Sequence, residues 1–185
     1  MSEMSGGHAA GERAGAAAKL PPRELSARLD RILASAERLI TSVPAPYVEH
    51  RSPGREWTLR GLAYQVFRLG LAFADGMDIG SYPERWLRDT APPDLRDGAD
   101  VARYGALVRA RLGGWFEGAG HGEYARIIDV YDGALSGRDL LERTTAQAAR
   151  HLRQLYALVE EIGITPDEPI PAADLEGLPL PATLW

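Results

Sequence analysis

The sequence predicts an all-α protein built on four helices, and three observations predict it. Apolar residues recur at helical spacing in four segments, proline and glycine punctuate the joints between them, and only one short segment reads as extended. At 185 residues with 45% hydrophobic content, the chain is long enough to bury a core and is predicted as a single domain.

Residues 1–20 are rich in Gly, Ala and Ser without periodicity. Such a segment cannot offset its ordering entropy by burial, so it is predicted as a disordered tail, carrying His8. From Arg23 to about Val43, Leu25, Leu29, Ile32, Ala36, Leu39, Ile40 and Val43 trace one apolar face, and Pro44 and Pro46 end the helix. Pro53 and Gly54 then form a turn. Thr58 is placed to cap a second helix, whose stripe is Leu62, Val66, Leu69 and Phe73. Gly76 and the stretch from Gly80 to Pro93 close it, leaving Tyr82 and Trp86 in a long loop or short extra helix.

A third helix is predicted from about Asp94 to Phe116, weakened by Gly98, Gly105, Gly113 and Gly114. The segment EYARIIDVYDG reads as extended and ends at the turn pair Asp132-Gly133. One short strand makes no sheet. Ser136 is a plausible N-cap for the clearest helix, with a stripe through Leu140, Thr144, Ala148, His151, Leu155, Leu158 and Ile162 and a stop at Gly163 and Pro166. The organisation predicted is a bundle over residues 21–165 and a proline-rich, irregular tail over 166–185, whose LEGLPLPATLW is apolar enough to pack back on the bundle.

Composition narrows the function. Cysteine is absent, which excludes disulfides, thiolate metal ligands and a cysteine nucleophile, so any thiol must arrive with a substrate. A net charge of −5 argues against nucleic acid as a partner, since that needs a clustered basic face. Neither a signal peptide nor a membrane-spanning run is visible, and the expectation is a cytoplasmic protein with no membrane partner. Arginine supplies nearly all the basic residues, Lys19 being an exception.

The residues that suggest chemistry lie on the second and last helices. His151 interrupts the apolar stripe of the last helix, with Gln147 one turn before it and Gln154 almost one turn after, and Gln65 sits at the edge of the second helix's stripe. Buried glutamines and histidines are more often hydrogen-bonded core residues than catalytic ones, because leaving them unsatisfied costs roughly 1–3 kcal/mol. His50 and His121 fall in predicted loops, where solvated histidine is common. Asp75 and Asp78 lack a third ligand, and Arg126, Asp129 and Asp132 flank the extended segment on what reads as a solvated face. No phosphate-cradling glycine loop or nucleophile elbow is present.

EWTLRGLAYQVFRLGLAFADGM resembles the second helix of the DinB-like (YfiT-like) superfamily, and LLERTTAQAARHLRQLYALVEEIGI resembles its last helix, which carries a His-x-x-x-His pair followed by Gln. The C-terminal LPLPATLW is similar to the branch found beside glutaredoxin-type sequences. The resemblance implies a four-helix bundle, a tendency to form homodimers, and three histidines binding a divalent metal such as zinc or nickel. In some members it implies a thiol-dependent transferase or isomerase using mycothiol, bacillithiol or glutathione. Carried over by position, the ligands fall on Gln65, Gln147 and His151, so one of three remains.

Glutamine is a weak neutral ligand, and the expectation is accordingly no metal and no resident cofactor. Gln is nearly as large as His and keeps a donor and an acceptor. The sequence therefore suggests a pocket that has exchanged metal ligation for hydrogen bonding to a small organic molecule. In that reading His151 is the general acid or base, Gln147 and Gln65 orient a carbonyl or stabilise its charge, and Trp57, Tyr64, Arg68, Arg143 and Gln154 bind substrate. Two alternatives are a thiol S-transferase with a metal held by His151 and other groups such as His50, His121 or Asp75, and a non-catalytic module that binds a small molecule or dimerises.

Overall fold

In a computed structural model, which describes residues 19–185, the polypeptide begins its regular structure at α1 (Pro22–Ser42). The predicted disordered tail lies outside the described residues except for Lys19 and Leu20, and so does His8. Pro22 suits the first turn of α1, where its missing N–H is not needed, and the predicted stripe is buried as Leu25, Leu29, Ile32, Ala36, Leu39 and Ile40.

Helix α2 (Leu59–Ile79) starts where Thr58 accepts a hydrogen bond from the Gly61 N–H (3.1 Å) and stops at Gly80, whose φ of 78° needs a residue without a Cβ. Helix α3 (Gly98–Gly118) is capped by Asp97, whose side chain accepts from the Asp100 N–H (2.8 Å); it begins a turn later than the spacing predicts because Asp94 and Arg96 belong to the preceding turn. A five-residue helix α4 (His121–Ala125) precedes the last long helix, α5 (Gly137–Glu161), which Ser136 caps through the Asp139 N–H (3.1 Å).

Helices α1, α3, α2 and α5 pack in that cyclic order, each against its two neighbours, and enclose a core centred on Phe67, Phe73, Leu29, Ile32, Leu62 and Leu155. Close approach between α2 and α3 is set by glycine. A Cβ on Gly105 would lie 2.5 Å from the Phe67 ring, and one on Gly70 would lie 2.9 Å from Leu112.

The all-helical expectation needs one addition, a three-stranded sheet. Its strands are β1 (Ser81–Tyr82), β2 (Ile127–Val130) and β3 (Gly133–Ser136), with β2 central, parallel to β1 and antiparallel to β3. The extended segment therefore has two partners. Ile128 and Val130 face the core while Ile127 faces solvent, the alternation of a half-buried strand. Gly133, at φ 142°, lets the chain turn back after Tyr131 and Asp132.

The tail beyond α5 lies against the bundle. Leu178 is buried and Leu180 and Trp185 are half-buried; Arg31 pairs with Asp174 (2.8 Å), and the Ile170 N–H donates to Tyr156 Oη (2.9 Å). No helix among the described residues is long and apolar enough to cross a membrane.

Candidate functional site

His151 lies at the edge of the buried face of α5 rather than at its centre, which runs through Leu141, Thr144, Thr145, Ala148, Leu152 and Leu155. That offset brings it to a cavity of about 250 Å³ whose walls include Arg55, Trp57, Arg150, Gln154 and Trp185. Gln154, one helical turn on, is buried and holds the imidazole. Its Nε2 donates to the Leu184 carbonyl (2.8 Å), which can only accept, so its Oε1 must face His151 Nδ1 (2.8 Å). An amide oxygen accepts, and the proton therefore resides on Nδ1. His151 Nε2 is left with an unshared pair.

Burial holds the His151 pKa below its ordinary value, with Arg150 adding to the fall and the Gln154 hydrogen bond opposing it. The imidazole is thus neutral near pH 7. This has a consequence for stability. Because the unfolded chain takes up the proton at a higher pH than the folded one, stability is full above the ordinary histidine pKa of 6.5 and falls as pH drops from there towards the folded value. The slope reaches at most about 1.4 kcal/mol per pH unit. Urea unfolding between pH 7 and pH 5 is expected to show this decline in the wild-type protein and a shallower one in His151→Gln; parallel curves would mean that His151 titrates alike in both states.

The other predicted site residues are distributed over separate surroundings. Gln65 is buried in α2 and donates its Nε2 to the Asp89 carbonyl, while Arg68, one turn later, donates Nε to the Asp89 carboxylate (2.7 Å) and lies over Trp86 (5.4 Å to the ring centroid). Together they fasten the segment after β1 to the bundle. Tyr64 stacks on Tyr104 (5.2 Å), and burial raises its pKa. Gln147 and Arg143 line a second cavity, of about 330 Å³, against Pro179 and Pro181; Arg143 also donates to Asp132 (2.8 Å) and lies over Tyr131.

Of the residues predicted to act together, the structure brings His151, Gln154 and Trp57 to one cavity. Gln147 and Arg143 share the neighbouring one, and Arg150 lines both. Arg55, Arg150 and Trp185 were not legible as site residues. Arg150 had a signal in its place beside His151, whereas nothing local marks the landing point of Trp185. A cavity of about 550 Å³ lies over the start of α2, but its Arg60 and Arg88 are already paired with Glu49 and Glu84. Within the smaller cavity, His151 is the group whose second ring nitrogen is held by a hydrogen bond while the first stays open.

The residues at the carried-over ligand positions do not suit a divalent metal. They amount to one imidazole and two neutral amides, one amide is committed to the Asp89 carbonyl, and the cation Arg150 lines the cavities of both Gln147 and His151. Nor do other groups gather. Among the described residues no three of His, Asp and Glu are placed to hold a metal ion; His50 is bonded to Glu161 (3.1 Å), and His121 lines an apolar cavity beside Phe116 and Tyr124.

Four long helices in this packing define a bundle of the DinB-like fold. A solved structure that shows it is that of the DinB-like protein YjoA of Bacillus subtilis, which covers 80% of this chain and 96% of its own at a TM-score of 0.64 and 15% sequence identity. At that identity the likeness carries the fold. No family model matches the sequence, and no curated protein matches it.

Proposed function

We propose that this chain is a metal-independent enzyme that tailors a small molecule, with His151 as its general base. The observation that carries the reading is the hydrogen-bond relay from His151 through Gln154 to Leu184, which leaves Nε2 unprotonated in a cavity walled by Trp57 and Trp185. Nε2 takes the proton from an acidic X–H of the substrate, or from a water attacking it, and the bonding pair stays on X or on the water oxygen. The imidazolium keeps its Nδ1–H bond to Gln154. Burial disfavours that charged ring, so it returns the proton readily to the leaving group or product.

Gln154 acts here as a positioning residue. Gln65 serves the site indirectly, by holding the Asp89 segment, and Gln147 faces the adjoining cavity, where its amide is available to a larger substrate.

An activated ester, p-nitrophenyl acetate, tests the base without knowledge of the natural substrate. Wild-type protein is expected to hydrolyse it about tenfold faster than His151→Gln or more, general-base contributions being about 10²–10⁴ on native substrates. The rate should rise with pH and level off at a midpoint below the ordinary histidine value. Equal rates for the two proteins, with unchanged helical circular dichroism, would remove His151 from catalysis.

A further inference from the structure

The cavity at His151 carries two guanidiniums that no carboxylate pairs with directly among the described residues. Arg55 and Arg150 both line it, and neither has a carboxylate or hydrogen-bond partner among the described residues, in a chain whose formal net charge is −5. Most other arginines here are paired: Arg28 with Glu24, Arg60 with Glu49, Arg109 with Asp30 and Glu37, Arg138 with Glu142, Arg143 with Asp132. Glu56 is the one carboxylate on the wall, so two guanidiniums face one anion.

The remaining walls are aromatic. Trp57 and Trp185 both line the space, and the Arg55 guanidinium lies 4.4 Å from the Trp185 ring centroid, which sets a flat cation against a flat apolar face. A volume of about 250 Å³ has room for one ring with a short substituent rather than for a nucleotide or a peptide.

Resting on the reading of His151 as base, we infer that the substrate is a small aromatic or similarly planar carboxylate. Its ring lies along Trp57 and Trp185, and its carboxylate is taken by Arg55 and Arg150. Arginine suits the task because its fork binds a carboxylate through two parallel hydrogen bonds, and a partly enclosed site strengthens them. The anion also places the acid beside Arg150 and so next to His151, its neighbour on α5. Proton transfer then involves the bound acid's substituent, not the carboxylate itself.

The probe is benzoate, compared with benzyl alcohol, which has the ring without the charge, and with acetate, which has the charge without the ring. The Trp57 and Trp185 indole N–H resonances are followed during titration. Benzoate is expected to shift both and to bind about tenfold more tightly than either comparison compound. Arg150→Gln and Arg55→Gln, both exposed positions, should each weaken benzoate about tenfold while leaving the weak binding of benzyl alcohol unchanged. His151→Gln should still bind benzoate.

Equal affinities for benzoate and benzyl alcohol, or benzoate binding that both arginine variants retain, would overturn the assignment. So would shifts confined to resonances away from Trp57 and Trp185. The two readings fail separately: full ester hydrolysis by His151→Gln removes the base and leaves the carboxylate site, whereas loss of charge selectivity in the wild-type protein removes the site and leaves the base.

Discussion

Phe67→Ala is expected to lower the unfolding free energy by about 3–5 kcal/mol, the usual cost of removing a fully buried aromatic ring. Phe67 has no solvent exposure, sits edge-on to Tyr104, and meets the backbone of α3 at Gly105. The glycine and the ring are complementary, so the same contact predicts a second result. In an open helix, replacing glycine with alanine gains about 1 kcal/mol. At Gly105 the new methyl would lie 2.5 Å from two ring carbons, well inside the 3.5–4.0 Å of an ordinary carbon contact. Overpacking of this kind costs about 1–3 kcal/mol, and Gly105→Ala should therefore be neutral to destabilising where its helix propensity alone would stabilise. Combining it with Phe67→Leu, which withdraws the ring edge, should cost less than the sum of the two single changes. Urea unfolding of the four proteins measures this, and strict additivity would mean that α2 and α3 part easily at this point.

The bundle was legible because its signals are local. Thr58 and Ser136 stand where caps are needed, and the apolar spacings of α1, α2 and α5 extend over enough turns to fix their inner faces. Its small sheet was not, since β1 has two residues and β3 reads Gly-Ala-Leu-Ser, with almost no strand propensity of its own. Those strands exist because the β2 backbone, with Ile128 and Val130 buried, must satisfy its N–H and C=O groups on both sides.

The site divides in the same way. The pairing of His151 with Gln154 is a helical i, i+3 neighbour relation and could be read from spacing. The partners that decide their chemistry come from far along the chain. Leu184 fixes the Gln154 amide, Asp89 takes up Gln65, and Trp185 meets Arg55 across the molecule. The first two dock an irregular segment on a helix and the third joins two irregular segments, and for such contacts periodicity carries no information. Spacing places a glutamine at each of two carried-over ligand positions, but only tertiary structure says that one of them holds a loop and the other lines a different cavity.

That loop gives the second large effect, an asymmetry between two halves of one ion pair. Arg68 is almost wholly enclosed, with 9% of its side chain exposed, whereas Asp89 is 40% exposed. Besides its bond to Asp89, the guanidinium leans on Trp86, and its Nη1 has no partner among the described residues. Removing the carboxylate strands a buried cation that is already incompletely bonded. Breaking a fully buried pair in this way costs about 3–5 kcal/mol, and the exposure of Asp89 brings the expectation for Asp89→Ala down to about 2–3 kcal/mol. Removing the cation is different. Arg68→Met keeps an unbranched apolar stem against Trp86 and leaves Asp89 facing water, so the loss should be about 1 kcal/mol or less. Urea midpoints of the two variants are therefore expected in the order Arg68→Met above Asp89→Ala. The reverse order would show that the carboxylate, not the guanidinium, is the group that depends on the pair. Because Leu87, Arg88, Thr90 and Ala91 on this segment wall the cavity that Trp57 also lines, Asp89→Ala should also broaden the Trp57 indole resonance.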